Sequence, residues 1–491
     1  MGEEVSWNGR VTKTASRRAG RSYLRTTMDG ELKRGLSSRH MNMIAIGGAI
    51  GTGLFVASGA TISQAGPGGA LVAYLAMGLM VFLLMQSLGE MSSYLPVPGT
   101  FETYATRFVS PSFGFALGWN YWFNWAITVA AELAAASIVM AYWWPSVPSW
   151  MWSAGFLALL FLLNVLSARA YGEGEFWFAI IKIVAVIAMI VGGLAVIIFA
   201  LPTASGIKAS FANWFTLEGG FFPNGLMEQT KDGTWTGLLM ALVVVMFSFG
   251  GTELIGITAG EAEDPQRSIP KAINRVVGRI LIFYVGALVV MLAIVPWTKI
   301  DGTASPFVQI FDLVGIPGAA AILNLVVLTA AMSAYNSGLY ANGRMLHALA
   351  HQGDAPRVLG KVNRAGSPWV GVLVSSAVTA IAVVVVGLLP EQAFMYIMSI
   401  ATISAIINWA TIIITQMLFR RRLAPETRAN LKFQMPGAPV TNWIVIAFLV
   451  LMIVVMLIMP PFRIAVAIGP IWLAALTLGR WLSRRRNQSR A

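Results

Sequence analysis

The chain has no cysteine among its 491 residues. That excludes disulfides, thiol nucleophiles and cysteine metal centres. Histidine is nearly absent as well: His40, His347 and His351 are the full complement, which argues against a histidine-ligated metal. Charge is scarce, at 11% Asp, Glu, Lys and Arg against about 25% in a soluble domain. No G-x-S-x-G or HExxH sequence occurs, so a membrane enzyme would lack both an activated serine and a catalytic metal. No cofactor is implied. The net charge of +13 raises the question of nucleic acid, but the basic residues are dispersed at segment ends without an aromatic-interleaved basic patch.

What fills the sequence is apolar: 57% hydrophobic residues and a mean hydropathy of +0.71. Windows of about 19 residues predict twelve spans, at 41–61, 68–95, 114–142, 149–168, 176–201, 235–259, 276–297, 318–343, 368–389, 393–416, 440–459 and 464–482. With residue 1 in the cytoplasm, only Lys208, Lys231, Lys299 and Arg463 fall on the outer side, and Lys182 lies within a span. The remaining lysines and arginines face inward, so the positive-inside rule puts both termini in the cytoplasm. The first forty residues carry no short apolar stretch with a small-residue cleavage site, so no cleaved signal peptide is expected.

One span is interrupted where a membrane helix should be continuous. Met43–Phe55 carries Gly47, Gly48, Gly51 and Gly53, each costing roughly 1 kcal/mol of helix stability relative to alanine. Hydrocarbon tolerates broken backbone only where it lines a cavity or is buried in protein. The sixth span repeats the pattern with Gly250, Gly251, Gly256 and Gly260 and places Glu253 at membrane depth. Two Gly-broken segments five spans apart point to an inverted repeat of five plus five helices with a solute site at the midplane. The expected organisation is a cytoplasmic tail at 1–40, a first repeat at 41–201, an extracellular loop at 202–234 and a second repeat at 235–416. A cytoplasmic loop at 417–439, two further helices at 440–482 and a tail at 483–491 follow.

The runs IGGAIGTGLFVASG, SQAGPGGALVAY, LGEMSSYLPVPGTFETYA, FGFALGWNYWFNW, GEGEFWFAIIKI, FSFGGTELIGITAGEAEDPQRSIPKAI and LTAAMSAYNSGLYANGRML resemble the amino-acid permeases of the amino acid–polyamine–organocation superfamily, over about Glu31 to Arg480. SGATISQAGPGGAL and FGFALGWNYW are most similar to bacterial lysine-specific permeases, whereas FRRRLAPE and the loop near Phe433 look more like the aromatic and proline permeases. The resemblance implies an all-α polytopic membrane protein of twelve transmembrane helices. Its fold would be LeuT-like, with two helices outside the 5+5 repeat, and its activity inward amino-acid symport with protons rather than sodium. It also implies residence in the bacterial cytoplasmic membrane, with amino acid, protons and lipid as partners.

Backbone amides near Gly51, Thr52 and Gly53 suit a substrate carboxylate, while carbonyls near Ile46, with Ala49 in the same stretch, suit its ammonium. The alternative is that these glycines only allow close helix packing. By resemblance, Phe247 covers the bound substrate, and Ser248, Gly250 and Thr252 line the second break. Glu253 and Lys182 are intramembrane charges, expensive and therefore functional candidates. Glu253 is read as coupling to proton or substrate, or as a structural carboxyl tying the two broken helices. Lys182, by resemblance, stands where other members of the fold hold sodium; a snorkelling lysine is the plainer reading. Glu132 is the clue to a cationic substrate, with a pairing to Lys182 as the competing account, and Asn124 lies on the same face at i−8. Glu102 is either a gate or cation-binding carboxylate or a solvated loop acid. Glu261 belongs to an acidic group, with Glu263 and Asp264, suited to a salt-bridged gate. The sequence reading is thus a proton-coupled importer of lysine or another cationic amino acid; the alternatives are an aromatic or small neutral amino acid permease, or an amino-acid-gated channel.

Overall fold

The computed structural model describes residues 51–95, 101–166, 168–201, 206–216, 219–231, 233–253, 273, 278, 280–302 and 304–488. A π-helical turn at Gly53–Ala57 runs into α1 (Ser58–Tyr94), followed by α2 (Glu102–Phe108), α3 (Pro111–Ala141), α4 (Ser149–Leu166), α5 (Ala168–Ile198) and α6 (Leu238–Ser248). A second π-helical turn, Ile280–Gly286, leads into α7 (Ala287–Ile294), then α8 (Pro306–Val314), α9 (Ala319–His351), α10 (Trp369–Leu388) and α11 (Ala393–Arg422). The chain closes with α12 (Pro425–Ala429), α13 (Val440–Ile458) and α14 (Pro460–Gln488). The described strands are a two-residue antiparallel ladder, β1 (Glu228–Gln229) with β2 (Trp235–Thr236), in the long loop before α6.

Local chemistry sets the boundaries. Ser110 caps α3 by accepting from the Phe113 amide at 3.2 Å, with Pro111 at the first helical position, where its missing N–H costs nothing. Gly315, left-handed at φ 78°, ends α8. Within α1, Gly66 adopts φ 67° and ψ −169° just before Pro67 and bends the helix there. A Cβ at Gly66 would fall 2.3 Å from the Pro223 ring, so this bend is also where the loop before α6 docks. The two expected spans 41–61 and 68–95 therefore meet in one bent helical path.

Among the described residues, eight helical segments are long and apolar enough to cross a membrane, with shorter apolar helices at Ser149–Val165, Leu238–Ser248 and Ile282–Ile294. Each of the twelve expected windows contains helix in its described part, the one at 235–259 only over Leu238–Ser248. Most of these helices are apolar all round, as lipid-embedded helices are.

The centre of the bundle is α3, which packs against α4, α9, α10, α11 and α14. Since lipid gives no hydrophobic drive between helices, side-chain amides serve as glue. Asn120 donates to Asn408 Oδ1 at 2.8 Å and to the Ser404 carbonyl at 3.0 Å. Trp122 donates to Ser375 Oγ at 3.0 Å, and Asn324 of α9 to the Val139 carbonyl at 2.9 Å. At one end of the bundle, Glu90 of α1 is fully buried. It accepts from Arg420 Nε at 2.6 Å, Gln416 Nε2 at 3.1 Å and the Met435 amide at 2.7 Å. Asn442 of α13 completes the cluster by donating to Gln416 at 2.8 Å.

Removing one partner of a buried ion pair leaves the other charge uncompensated, a loss of about 3–5 kcal/mol. Arg420→Ala is expected to destabilise the purified protein on that scale in denaturant or thermal unfolding. Glu90→Gln, which keeps the shape of the acceptor, is expected to cost markedly less; equal small losses would mean that the cluster does not hold these helices.

Candidate functional site

The two interrupted helices meet face to face. The Gly51 carbonyl accepts from the Leu54 and Phe55 amides at 3.2 and 3.3 Å, which places the amides of Gly51, Thr52 and Gly53 in the first turn of this helical segment, at its partial positive end. Opposite them, α6 ends at Ser248, and Gly251 continues with φ 87°. Ser248 Oγ lies 2.7 Å from the Gly53 carbonyl. Tyr74 Oη reaches the same two groups at 3.4 and 3.2 Å, and Tyr284 Oη donates to the Ser248 carbonyl at 2.9 Å. Carbonyl groups at the break are thus partnered by hydroxyls, the satisfaction that broken backbone requires inside a membrane. A Cβ on Gly53 would lie 2.4 Å from Ser248 Cα. Only glycine permits this approach, so Gly53 is a packing position.

Beside this contact lies a cavity of about 30 Å³, room for roughly one water. Gly51, Gly53, Phe247, Ser248 and Gly250 line it from the two breaks, Trp125, Thr128 and Glu132 from α3, and Ala334 from α9. The three α3 residues stand at i, i+3 and i+7, one stripe of a helix. Phe247 meets Phe394 edge-on, with ring centroids 6.1 Å apart. Glu132 is buried, and among the described residues its Oε2 has no hydrogen-bond partner. A Cβ on Gly51 would come within 3.0 Å of Glu132 Oε1, so this carboxylate lies against the first break. Thr252 turns its hydroxyl to the Phe249 carbonyl at 3.0 Å. Glu253, 2% exposed, keeps Oε2 unpartnered.

Two expected pocket residues stand apart from this cavity. Asn124 donates to the Ala401 carbonyl of α11 at 2.8 Å and does not line the cavity. Glu102 is buried against Gly118 of α3, fourteen residues before Glu132 in sequence and so about 21 Å away by helical rise. It is not a solvated loop acid. Ile46, Ala49 and Glu261 lie outside the described residues.

Lys182 is fully buried on α5 and is not snorkelling. Its Nζ donates to Ser333 Oγ of α9 at 2.8 Å and stands 3.9 Å from Glu175 Oε1. Ser333 in turn donates to Glu175 Oε1 at 2.5 Å, so the hydroxyl bridges the two charges. Glu175 was not singled out from sequence, yet it lies seven residues before Lys182. That spacing puts both on one face, and a lysine side chain leans toward the helix N-terminus to close the gap. The ion pair therefore joins Lys182 to Glu175. Two polar residues of α9 part ways: Ser333 serves this pair, and Asn336 accepts from Asn164 of α4 at 2.8 Å. Trp125 and Thr128 were likewise missed; the signal was their register with Glu132.

Residues 40–490 match the amino acid permease family. The chain belongs to that family. Its members are transporters rather than enzymes, and this permease is a multi-pass membrane protein. It is 46% identical over 446 residues to the "Uncharacterized amino acid permease YtnA" of Bacillus subtilis (strain 168), covering 91% of this chain and 94% of that protein. It is 44% identical over 449 residues to the aromatic amino acid transport protein AroP of Escherichia coli (strain K12), covering 91% and 95%. The AroP of Salmonella typhi is 44% identical over 451 residues, with the same shares covered. No lysine permease is among these relatives.

The two glycines separate packing from binding. Gly53→Ala is expected to push the broken helices apart and lower the unfolding temperature. Gly51→Ala, whose Cβ meets a carboxylate oxygen rather than backbone, is expected to leave stability nearly unchanged and to weaken amino-acid binding. Ligand-binding and thermal-unfolding measurements on both variants check this; a stable, tightly binding Gly53→Ala protein would contradict the packing role.

Proposed function

We propose that this permease imports an aromatic L-amino acid together with protons across the cytoplasmic membrane, with both termini in the cytoplasm. The architecture proposed for it is LeuT-like, with twelve spans and inverted repeats at 41–201 and 235–416. The observation that carries the coupling is the fully buried Lys182, held by Ser333 and Glu175 between α5 and α9. The ammonium ties α5 to α9 through its hydrogen bond to Ser333, while its ion pair with Glu175 lies within α5. Loss of its proton weakens the bond to Ser333 and lets α5 and α9 shift, a two-state element that alternating access requires. Glu253 at the second break is the second coupling group.

The amides of Gly51, Thr52 and Gly53 take the substrate carboxylate, and carbonyls near Ile46 and Ala49 take its ammonium. Phe247 covers it, beside Ser248, Gly250 and Thr252. Glu102 and Glu261 act as cytoplasmic gate residues, away from the substrate. Trp125 and Phe247 supply aromatic walls, with Phe394 edge-on against Phe247, and two of the relatives above are named for aromatic substrates, which favours an aromatic side chain over lysine. Lysine remains the second reading because Glu132 lines the cavity with one carboxylate oxygen unpartnered.

Lys182→Ala is expected to abolish accumulation in proteoliposomes driven by an inward proton gradient, while wild-type uptake is indifferent to sodium at clamped pH and membrane potential. Uptake that follows a sodium gradient would overturn the coupling assignment.

Substrate choice is decided by competition. Unlabelled phenylalanine, tyrosine or tryptophan is expected to suppress labelled phenylalanine uptake, with lysine at the same concentration having little effect. Glu132→Gln then weakens all substrates to a similar degree. If it instead weakens lysine by about 1.5–3 kcal/mol, the worth of a charge-assisted hydrogen bond, and spares norleucine, Glu132 reads a cationic side chain and the lysine assignment stands.

A further inference from the structure

Where α9 ends, away from the central cavity, a groove of about 650 Å³ opens between His351, the short helical turn Arg357–Gly360, Lys361 and Trp369 at the start of α10. This volume falls in the range of small-molecule sites. Arg357 and Lys361 are exposed on its rim, with no hydrogen-bond or ion-pair partner for either side chain among the described residues. The segment from Arg344 to Trp369 holds a single acid, Asp354, and that carboxylate is engaged by Arg480 at 3.1 Å. The groove is therefore cationic and its charge uncompensated.

Its position fixes what kind of anion fits. Trp369 is 39% exposed and opens an apolar helix long enough to cross the membrane, the level at which interfacial tryptophans sit. From Trp369 an exposed apolar stripe continues along α10 through Leu373, Ala377, Ile381, Val384 and Leu388, at the three- and four-residue spacing of one helix face. A cationic groove at headgroup level thus leads directly into a lipid-facing apolar track.

We propose that this groove binds the phosphate headgroup of an anionic phospholipid, with Arg357 and Lys361 holding the phosphate and an acyl chain lying along the Trp369–Leu388 stripe of α10. Basic pockets between membrane helices select anionic lipids in this way. The site is separate from the central cavity and does not depend on which amino acid the permease carries.

The test is lipid binding by the full-length protein in detergent. Binding of phosphatidylglycerol and of phosphatidylcholine with identical chains is followed by native mass spectrometry and by the shift in unfolding temperature, with inorganic phosphate as a third arm. Wild type is expected to retain phosphatidylglycerol in preference to phosphatidylcholine. The Arg357→Ala/Lys361→Ala variant is expected to lose roughly tenfold or more in phosphatidylglycerol affinity, as two surface cations imply. A milder pair, Arg357→Gln/Lys361→Gln, should behave the same way and guards against misfolding. Equal retention of the two lipids, or undiminished phosphatidylglycerol binding by both folded variants, would overturn the proposal. So would a thermal shift reproduced in full by inorganic phosphate, because the acyl chain would then contribute nothing.

Discussion

A helix that stops inside a bilayer leaves amides and carbonyls that no water reaches, and this permease resolves that constraint by pressing one broken helix onto another. Ser248 Oγ bonds the Gly53 carbonyl, Tyr74 lies against both, and Tyr284 caps the Ser248 carbonyl. The contact is possible because Gly53 offers no Cβ to the α6 backbone. Everything at the site follows from it: the amides of the first break and the end of α6 border one small cavity, and α3 closes it with Trp125, Thr128 and Glu132.

The second constraint is charge. Lys182 and Glu175 are both fully buried, where a lone charge is costly and a paired one is acceptable only if its remaining bonding capacity is met. Ser333 provides part of that, accepting from the lysine and donating to the carboxylate. Glu90 and Arg420 answer the same demand at another end of the molecule with Gln416, Asn442 and the Met435 amide. The difference is instructive. Glu90 gathers several donors and fastens helices together, whereas Lys182 and Glu175 share the Ser333 hydroxyl of α9 and stand 3.9 Å apart.

Glu132 illustrates how one buried carboxylate admits more than one reading. Glu132 is buried at the cavity, as its place in an apolar helix implied, and an intramembrane carboxylate suggested a cationic ligand. The fold sets that carboxylate against Gly51 and lines the cavity with Trp125 and Phe247. A carboxylate turned toward the first break faces backbone rather than open cavity alone. The direction of a side chain depends on neighbours that hydropathy does not record.

The sequence by itself determined the class: scarcity of charge and apolar windows required a polytopic helical protein, and paired glycine clusters marked where its helices break. Those features are local, because hydropathy and glycine content act within one segment. It also singled out Gly51, Glu132, Phe247 and Ser248, which line the cavity, and Lys182, which is buried. Only the tertiary structure decided that Gly53 packs on the α6 backbone while both glycines border the cavity, that Glu175 pairs with Lys182, and that Asn124 and Glu102 belong to other interfaces. These outcomes rest on distances between helices far apart in the chain: 151 positions separate Lys182 from Ser333, and 195 separate Gly53 from Ser248. Helical spacing can place residues on a common face, but the partner that face meets is chosen by packing of the whole bundle.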